Sequence, residues 1–150
     1  MNFKKILSVN NIIRCLAFVL ALIGAIMFLA TAKSGYLAGS TYDKSVFVLG
    51  LIGALVILAA ICVDAKFKRI TPYVLILGAL LVTLSFVNGI LDRVNFIGDS
   101  FIPMTYPDSF YSALSATYSS FILSGVAIVL VAVSLFIPEI LLIKEEKVEE

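Results

Sequence analysis

Residues 46–69 read VFVLGLIGALVILAAICV followed by DAKFKR. The first eighteen residues carry no charge, while four of the next six are charged. A helix needs roughly 20 apolar residues to cross about 30 Å of hydrocarbon. The run therefore reads as a membrane span, and the charged segment reads as the turn that ends it.

The same pattern recurs on both sides. Ile12–Ala32 precedes this run, and Tyr73–Leu91 and Phe121–Ile137 follow it. The chain of 150 residues is 61% hydrophobic, well above the roughly 45–50% of soluble domains. A soluble fold is excluded. The expected fold is all-α and integral to a membrane, an antiparallel bundle of four transmembrane helices forming a single domain over residues 1–150. The spans are expected near residues 12–32, 46–64, 72–91 and 118–143, the last extended outward to residue 109. Lys4 and Lys5 before an apolar run ending Ala30-Thr31-Ala32 resemble a cleavable secretory signal. The run is too long for a signal core of 7–15 residues and matches the other spans, so it reads as the first helix.

Orientation follows from the basic residues. With both termini cytoplasmic, Lys4, Lys5, Arg14, Lys66, Lys68, Arg69, Lys144 and Lys147 lie inside, and only Lys33, Lys44 and Arg93 lie outside. Eight against three satisfies the positive-inside rule. Thr71-Pro72 suits a helix start, with Thr71 as cap and Pro72 in the first turn. Asp108 is the expected cap of the last helix. Between helices 3 and 4 the pattern predicts a long aromatic outer loop over 92–117.

Lipid does not drive helices together, so small and polar residues at helical spacing mark the contact faces. Helix 1 offers Arg14, Ala17, Ala21, Gly24 and Thr31. Helix 2 offers Gly50, Gly53, Ala54, Ala60 and Asp64. Helix 3 offers Thr71, Gly78, Ser85, Asn88 and Asp92, and helix 4 offers Thr117, Ser120, Ser124, Ala127 and Ser134. These faces serve packing within the chain or contact with another subunit.

Polar residues at membrane depth are the clues to function. Ser85, Asn88 and Asp92 on helix 3 and Thr117, Ser120 and Ser124 on helix 4 are expected at similar depth, as an outward-facing ligand pocket or as interhelical hydrogen bonds. Arg14, Asp64 and Glu139 are expected at the cytoplasmic interface as an ion pair that pins the bundle. Phe96, Phe101, Tyr106, Phe110 and Tyr111 give the outer segment a surface suited to a partner contact.

The chain has no histidine, the commonest general base and metal ligand. Its two cysteines, Cys15 and Cys62, are too far apart for a CxxC pair and read as small apolar residues. No nucleophile sits beside a base, and no phosphate loop occurs. The expectation is a non-enzyme with no cofactor and no metal. A net charge of +1 gives no footprint for nucleic acid. The function expected is that of an accessory, scaffold or assembly subunit of a larger membrane complex. Its partners would be the lipid bilayer and a membrane protein or second copy, met through the small-residue faces and the outer loop. The alternative is a small oligomeric transporter or channel using the polar face of helices 3 and 4. Short loops, the lack of Asn-x-Ser/Thr acceptors and a Lys-rich inner face suit a bacterial inner membrane.

Overall fold

The computed structural model describes residues 9–38, 41–64 and 66–146, with side chains described between residues 10 and 136. Four helices account for nearly all of it. They are α1 (Val9–Lys33), α2 (Lys44–Asp64), α3 (Thr71–Asp99) and α4 (Asp108–Glu146), with a short 3-10 turn at Gly35–Leu37. No strand occurs among the described residues. All four helices are long and apolar enough to cross a membrane. This is a multi-pass, all-helical membrane bundle.

Consecutive helices run antiparallel and close into a ring. The α1/α4 and α2/α3 pairs pack most extensively, α1/α2 less so, and α3/α4 least. Backbone approach explains the order. At Gly53 of α2 an added Cβ would lie 2.9 Å from the Val82 backbone nitrogen of α3. At Gly24 of α1 it would lie 3.2 Å from the Ser120 carbonyl oxygen of α4. Only a residue without a side chain permits such contact, and in lipid this close packing is the main attraction between helices. Across the α3/α4 seam, by contrast, Phe86 and Phe121 meet edge to face at 6.0 Å, and bulky rings hold the helices apart.

The small-residue faces are consumed inside the chain. Ala17, Ala21, Ala54 and Ala60 are at most 2% exposed and form one core with Ile57, Leu75, Val82, Ala127 and Val131. Gly24, Gly50, Gly53 and Gly78 are buried with them. Leu16, Ile23, Leu55, Leu84 and Ile122 point away from the bundle, where lipid would cover them. Cys15 and Cys62 are also exposed.

The helix ends have local causes. Gly35 adopts φ +76 directly after α1, the left-handed conformation that glycine provides most easily at a helix C-terminus. Asp43 caps α2, its Oδ1 accepting the Ser45 N–H at 2.8 Å and its Oδ2 the Ser45 hydroxyl at 2.7 Å. Thr71 does not cap α3. It is the first helical residue, fully buried, and its hydroxyl donates back to the Phe67 carbonyl at 3.3 Å. Asp108 likewise lies inside the first turn of α4, where a carboxylate favours the helix dipole.

Within the segment expected as an outer loop over 92–117, the last helix starts where its outward extension to residue 109 was expected, but the span expected to end at residue 91 runs on as helix. α3 continues to Asp99 and α4 starts at Asp108, leaving only residues 100–107 between them. With 29 residues, α3 is about 43 Å long, about 13 Å more than the hydrocarbon thickness. The last turns of α3 and the first turns of α4 run side by side at one end of the bundle. These turns pack on each other rather than unravelling into a loop.

Candidate functional site

The end of the bundle that carries the α1–α2 and α3–α4 connections holds most of its polar chemistry. The buried stripe of α3 runs Thr71, Leu75, Gly78, Val82, Ser85, Gly89, Arg93, Phe96. Four residues of this stripe, from Ser85 outward, build the site. The stripe of α4 answers it with Phe110, Ala113, Thr117 and Ser120.

Deepest is a cavity of about 10 Å³, room for about one water molecule. Its walls are Gly24, Ala25, Phe28, Val46, Ser85, Gly89, Ser120, Phe121 and Ser124. Ser85, Ser120 and Ser124, expected to converge from helices 3 and 4, do line one space. Two of their hydroxyls are committed across helix boundaries. Ser85 donates to the Val46 carbonyl of α2 at 2.6 Å, and Ser120 donates to the Gly24 carbonyl of α1 at 2.8 Å. Thr117 is buried and bonds within its own helix, to the Ala113 carbonyl at 2.8 Å.

One turn outward of Gly89 stands Arg93, only 2% exposed. Its guanidinium carbon lies 4.9 Å from the centre of the Phe28 ring, a cation–π contact. The nearest carboxylate is its neighbour Asp92, with Oδ2 3.6 Å from Arg93 Nε. Asp92 has another duty. Its Oδ1 accepts the Asp43 N–H at 3.0 Å, tying the start of α2 to α3. Asp92 and Asn88 are half-buried and lie beside the inward stripe. They do not join the three serines at the cavity wall.

Above Arg93 is an aromatic cap. Phe110 is fully buried. It stacks on Tyr106 at 4.1 Å and meets Phe96, Tyr36 and Tyr111 edge-on at 5.0, 5.0 and 5.6 Å. Leu37, Ala113 and Leu114 complete this second core. The Tyr106 hydroxyl donates to the Asp99 carbonyl at 3.0 Å. Loss of solvation, followed by the charge of Asp99, pushes the Tyr106 phenol above its usual range. Of the five residues expected to meet a partner, Phe96 and Phe110 are therefore interior, whereas Phe101 is 80% and Tyr111 52% exposed.

The opposite end holds a smaller polar group. Arg14 of α1 is 3.3 Å from Asp64 of α2, and its Nη1 donates to Asn11 at 3.0 Å. The structure brings this pair together. The side chain of Glu139, expected as its third member, lies outside the described residues. Among the described residues no cluster of His, Cys, Asp and Glu is arranged to hold a metal.

Sequence reading missed Arg93 as an interior residue. Its signal was helix phase. Thr71, Gly78 and Ser85 are spaced by seven, but two turns take 7.2 residues, and a straight helix drifts about 20° per heptad. After three heptads the drift of roughly 60° exceeds half of one residue's 100° step, so the inward position passes from Asp92 to Arg93.

Comparison with models of known protein families, with curated proteins and with solved structures found no match to this chain.

Proposed function

We propose that this chain is a non-enzymatic subunit of a larger membrane protein assembly, and that it meets its partner through the tip of the α3–α4 connection. One observation supports this reading above the others. Phe101 and Met104 are 80% and 66% exposed, at the summit of an otherwise well-packed aromatic cap. α3 outruns the hydrocarbon by about 13 Å before the tip begins, beyond the reach of acyl chains. Exposed Phe and Met there suit a protein contact, because aromatic residues and Met are enriched in such interfaces. The rigid cap beneath reduces the ordering cost of binding. The small-residue faces are occupied within the bundle, so the tip replaces them as the contact surface.

With the termini cytoplasmic, the tip faces outward, in keeping with the basic α2–α3 connector Lys66–Arg69. That orientation and the absence of glycosylation acceptors fit a bacterial inner membrane.

Photo-crosslinking residues placed singly at positions 101 and 104 in native membranes test the proposal. A reproducible protein adduct, lost from position 104 labelling when Phe101→Ser is also present, is the expected result. Adducts to lipid alone, from a correctly inserted protein, would refute it.

A further inference from the structure

Two cations are buried among the described residues, and they differ in their partners. Arg14 has a carboxylate at 3.3 Å and an amide oxygen at 3.0 Å, with its Nε left without an acceptor. On Arg93, neither Nε nor Nη2 has a hydrogen-bond acceptor. We propose that Arg93 binds a carboxylate or phosphate oxyanion through this Nε/Nη2 edge.

The pattern of unpartnered atoms selects the ligand. Nε and Nη2 present parallel N–H groups along one edge of the planar guanidinium, the fork that receives two oxygens of a carboxylate or phosphate. Arginine has donors only, so the complement must be an acceptor, and its charge excludes a cation. A spherical halide satisfies such a fork less well than two oxygens held by one atom.

The neighbours cannot supply those oxygens as they stand. Asp92 Oδ2 stays 3.6 Å from Nε, while its other oxygen is held by the Asp43 amide. Phe28 offers a ring face, which takes the charge but no N–H in line. Phe96, three residues on, belongs to the aromatic cap. The same Phe28 ring lines the serine cavity one turn below. The α3/α4 seam is the least extensively packed of the four.

Depth names two sources for one chemistry. Arg93 lies 22 residues into α3 from Thr71, about 33 Å along the axis, level with the edge of the hydrocarbon. Lipid phosphates sit at that level, and small free oxyanions reach it from water. This inference stands apart from the subunit reading, which concerns only the tip.

The test uses the full chain labelled with 15N-arginine, which carries three arginines, Arg14, Arg69 and Arg93. The protein is held in dodecyl maltoside, a detergent without phosphate. The Arg93 Nε–H signal is assigned as the one missing in Arg93→Gln. Sodium formate, inorganic phosphate, short-chain phosphatidylglycerol and sodium chloride are titrated separately. The expected result is a saturable shift of the Arg93 signal, with Arg14 and Arg69 unmoved, at a concentration about tenfold or more below that of any chloride effect. Response to formate or phosphate identifies a soluble oxyanion, and response to phosphatidylglycerol alone identifies a lipid headgroup. An Arg93 signal unmoved by all three oxyanions, or moved equally by chloride, overturns the proposal. If Arg93→Gln fails to fold, Arg14→Gln and Arg69→Gln assign the remaining signal by elimination.

Discussion

Gly53→Ala is the sharpest test of how this bundle is held together. The new Cβ would sit 2.9 Å from the Val82 backbone nitrogen, 2.8 Å from Val82 Cγ2 and 3.1 Å from Leu81 Cβ. None of these atoms can easily retreat. A backbone nitrogen and a Cβ are fixed to the helix, and a valine in a helix has essentially one rotamer. Reaching ordinary contact at 3.4 Å requires α2 and α3 to part by about 0.5 Å at this level. A gap of that size forfeits roughly a quarter of the dispersion well for each contact on the seam. It also stretches the 2.6 Å bond from Ser85 to Val46 at the far end of the same seam. Overpacking of this kind costs about 1–3 kcal/mol. Gly125→Ala is the control, since its Cβ would meet nothing within 4 Å. There the better helix propensity of alanine, worth at most about 1 kcal/mol, acts alone. Reversible unfolding of both variants in mixed detergent–SDS micelles measures the difference. Equal unfolding midpoints for Gly53→Ala and Gly125→Ala would refute the close-approach argument.

The aromatic cap makes opposite predictions for two phenylalanines. Phe110→Ala removes a fully buried ring with four aromatic neighbours and is expected to cost about 3–5 kcal/mol, whereas Phe101→Ala, 80% exposed, should stay within about 0.5 kcal/mol; similar losses in the same unfolding assay would mean that the cap is not packed as described. Removing Asp64 alone leaves Arg14 buried without its carboxylate and is expected to cost about 3 kcal/mol, while Arg14→Met with Asp64→Leu recovers most of it. A double-mutant cycle in which the single losses simply add would show that the two residues do not act as a pair. The Asp43 carboxyl is held below its ordinary value by the Ser45 hydroxyl and then the Ser45 amide. A lowered folded-state value gives a contribution that is present above the unfolded value of about 3.9 and lost as pH falls through the folded one. The first turn of α2 is therefore expected to be indifferent to pH from about 5 to 9 and to loosen only below about 4, followed by the Ser45 amide resonance. A change between pH 5 and 7 would contradict this.

How much was legible in the sequence depended on which physical rule governed each part. Span number and helix class follow from apolar run length, and Val46–Val63 alone nearly decides them. The contact stripes follow from small residues, and Ala17, Ala21, Gly53, Ala54 and Gly78 are where that rule puts them. Where the rules compete, reading failed. The 92–99 segment holds Asp92, Arg93, Asn95 and Asp99, so hydropathy ends the span at Leu91. Hydropathy reports where lipid ends, however, and not where the helix ends. Backbone hydrogen bonding continues while Arg93 and Phe96 find burial against α1 and α4. The aromatics of 96–111 looked like a surface because they follow the apolar run. Phe96 and Phe110 are interior because each recurs in phase with its own helix stripe.

The distribution of polar groups carries one more consequence. The core around Ile57, Leu75, Val82 and Val131 holds no buried charge, and the buried hydroxyls beside it, Thr71 and Ser134, bond to nearby backbone carbonyls. Buried charge sits at both ends, with Arg14 and Asp64 at one and Arg93 at the other. A hydrocarbon interior makes charge costly in proportion to depth, so such end placement is the cheapest way to keep it. At the Arg14 end the charge is matched by Asp64. At the Arg93 end the nearest carboxylate is shared with a helix cap. Leaving a charged donor edge without an acceptor costs about 1–3 kcal/mol or more, and a methionine there would avoid that cost with similar packing. The folded bundle gains from Arg93 the contact with the Phe28 ring and a long approach to Asp92, and leaves the Nε/Nη2 edge unused. The burial of Arg93 beneath the aromatic cap with an unmatched donor edge is therefore the feature that shape does not account for. Arg93→Met turns that into a measurement: a variant more stable than the parent, yet without the oxyanion response, would separate the binding role of Arg93 from any structural one.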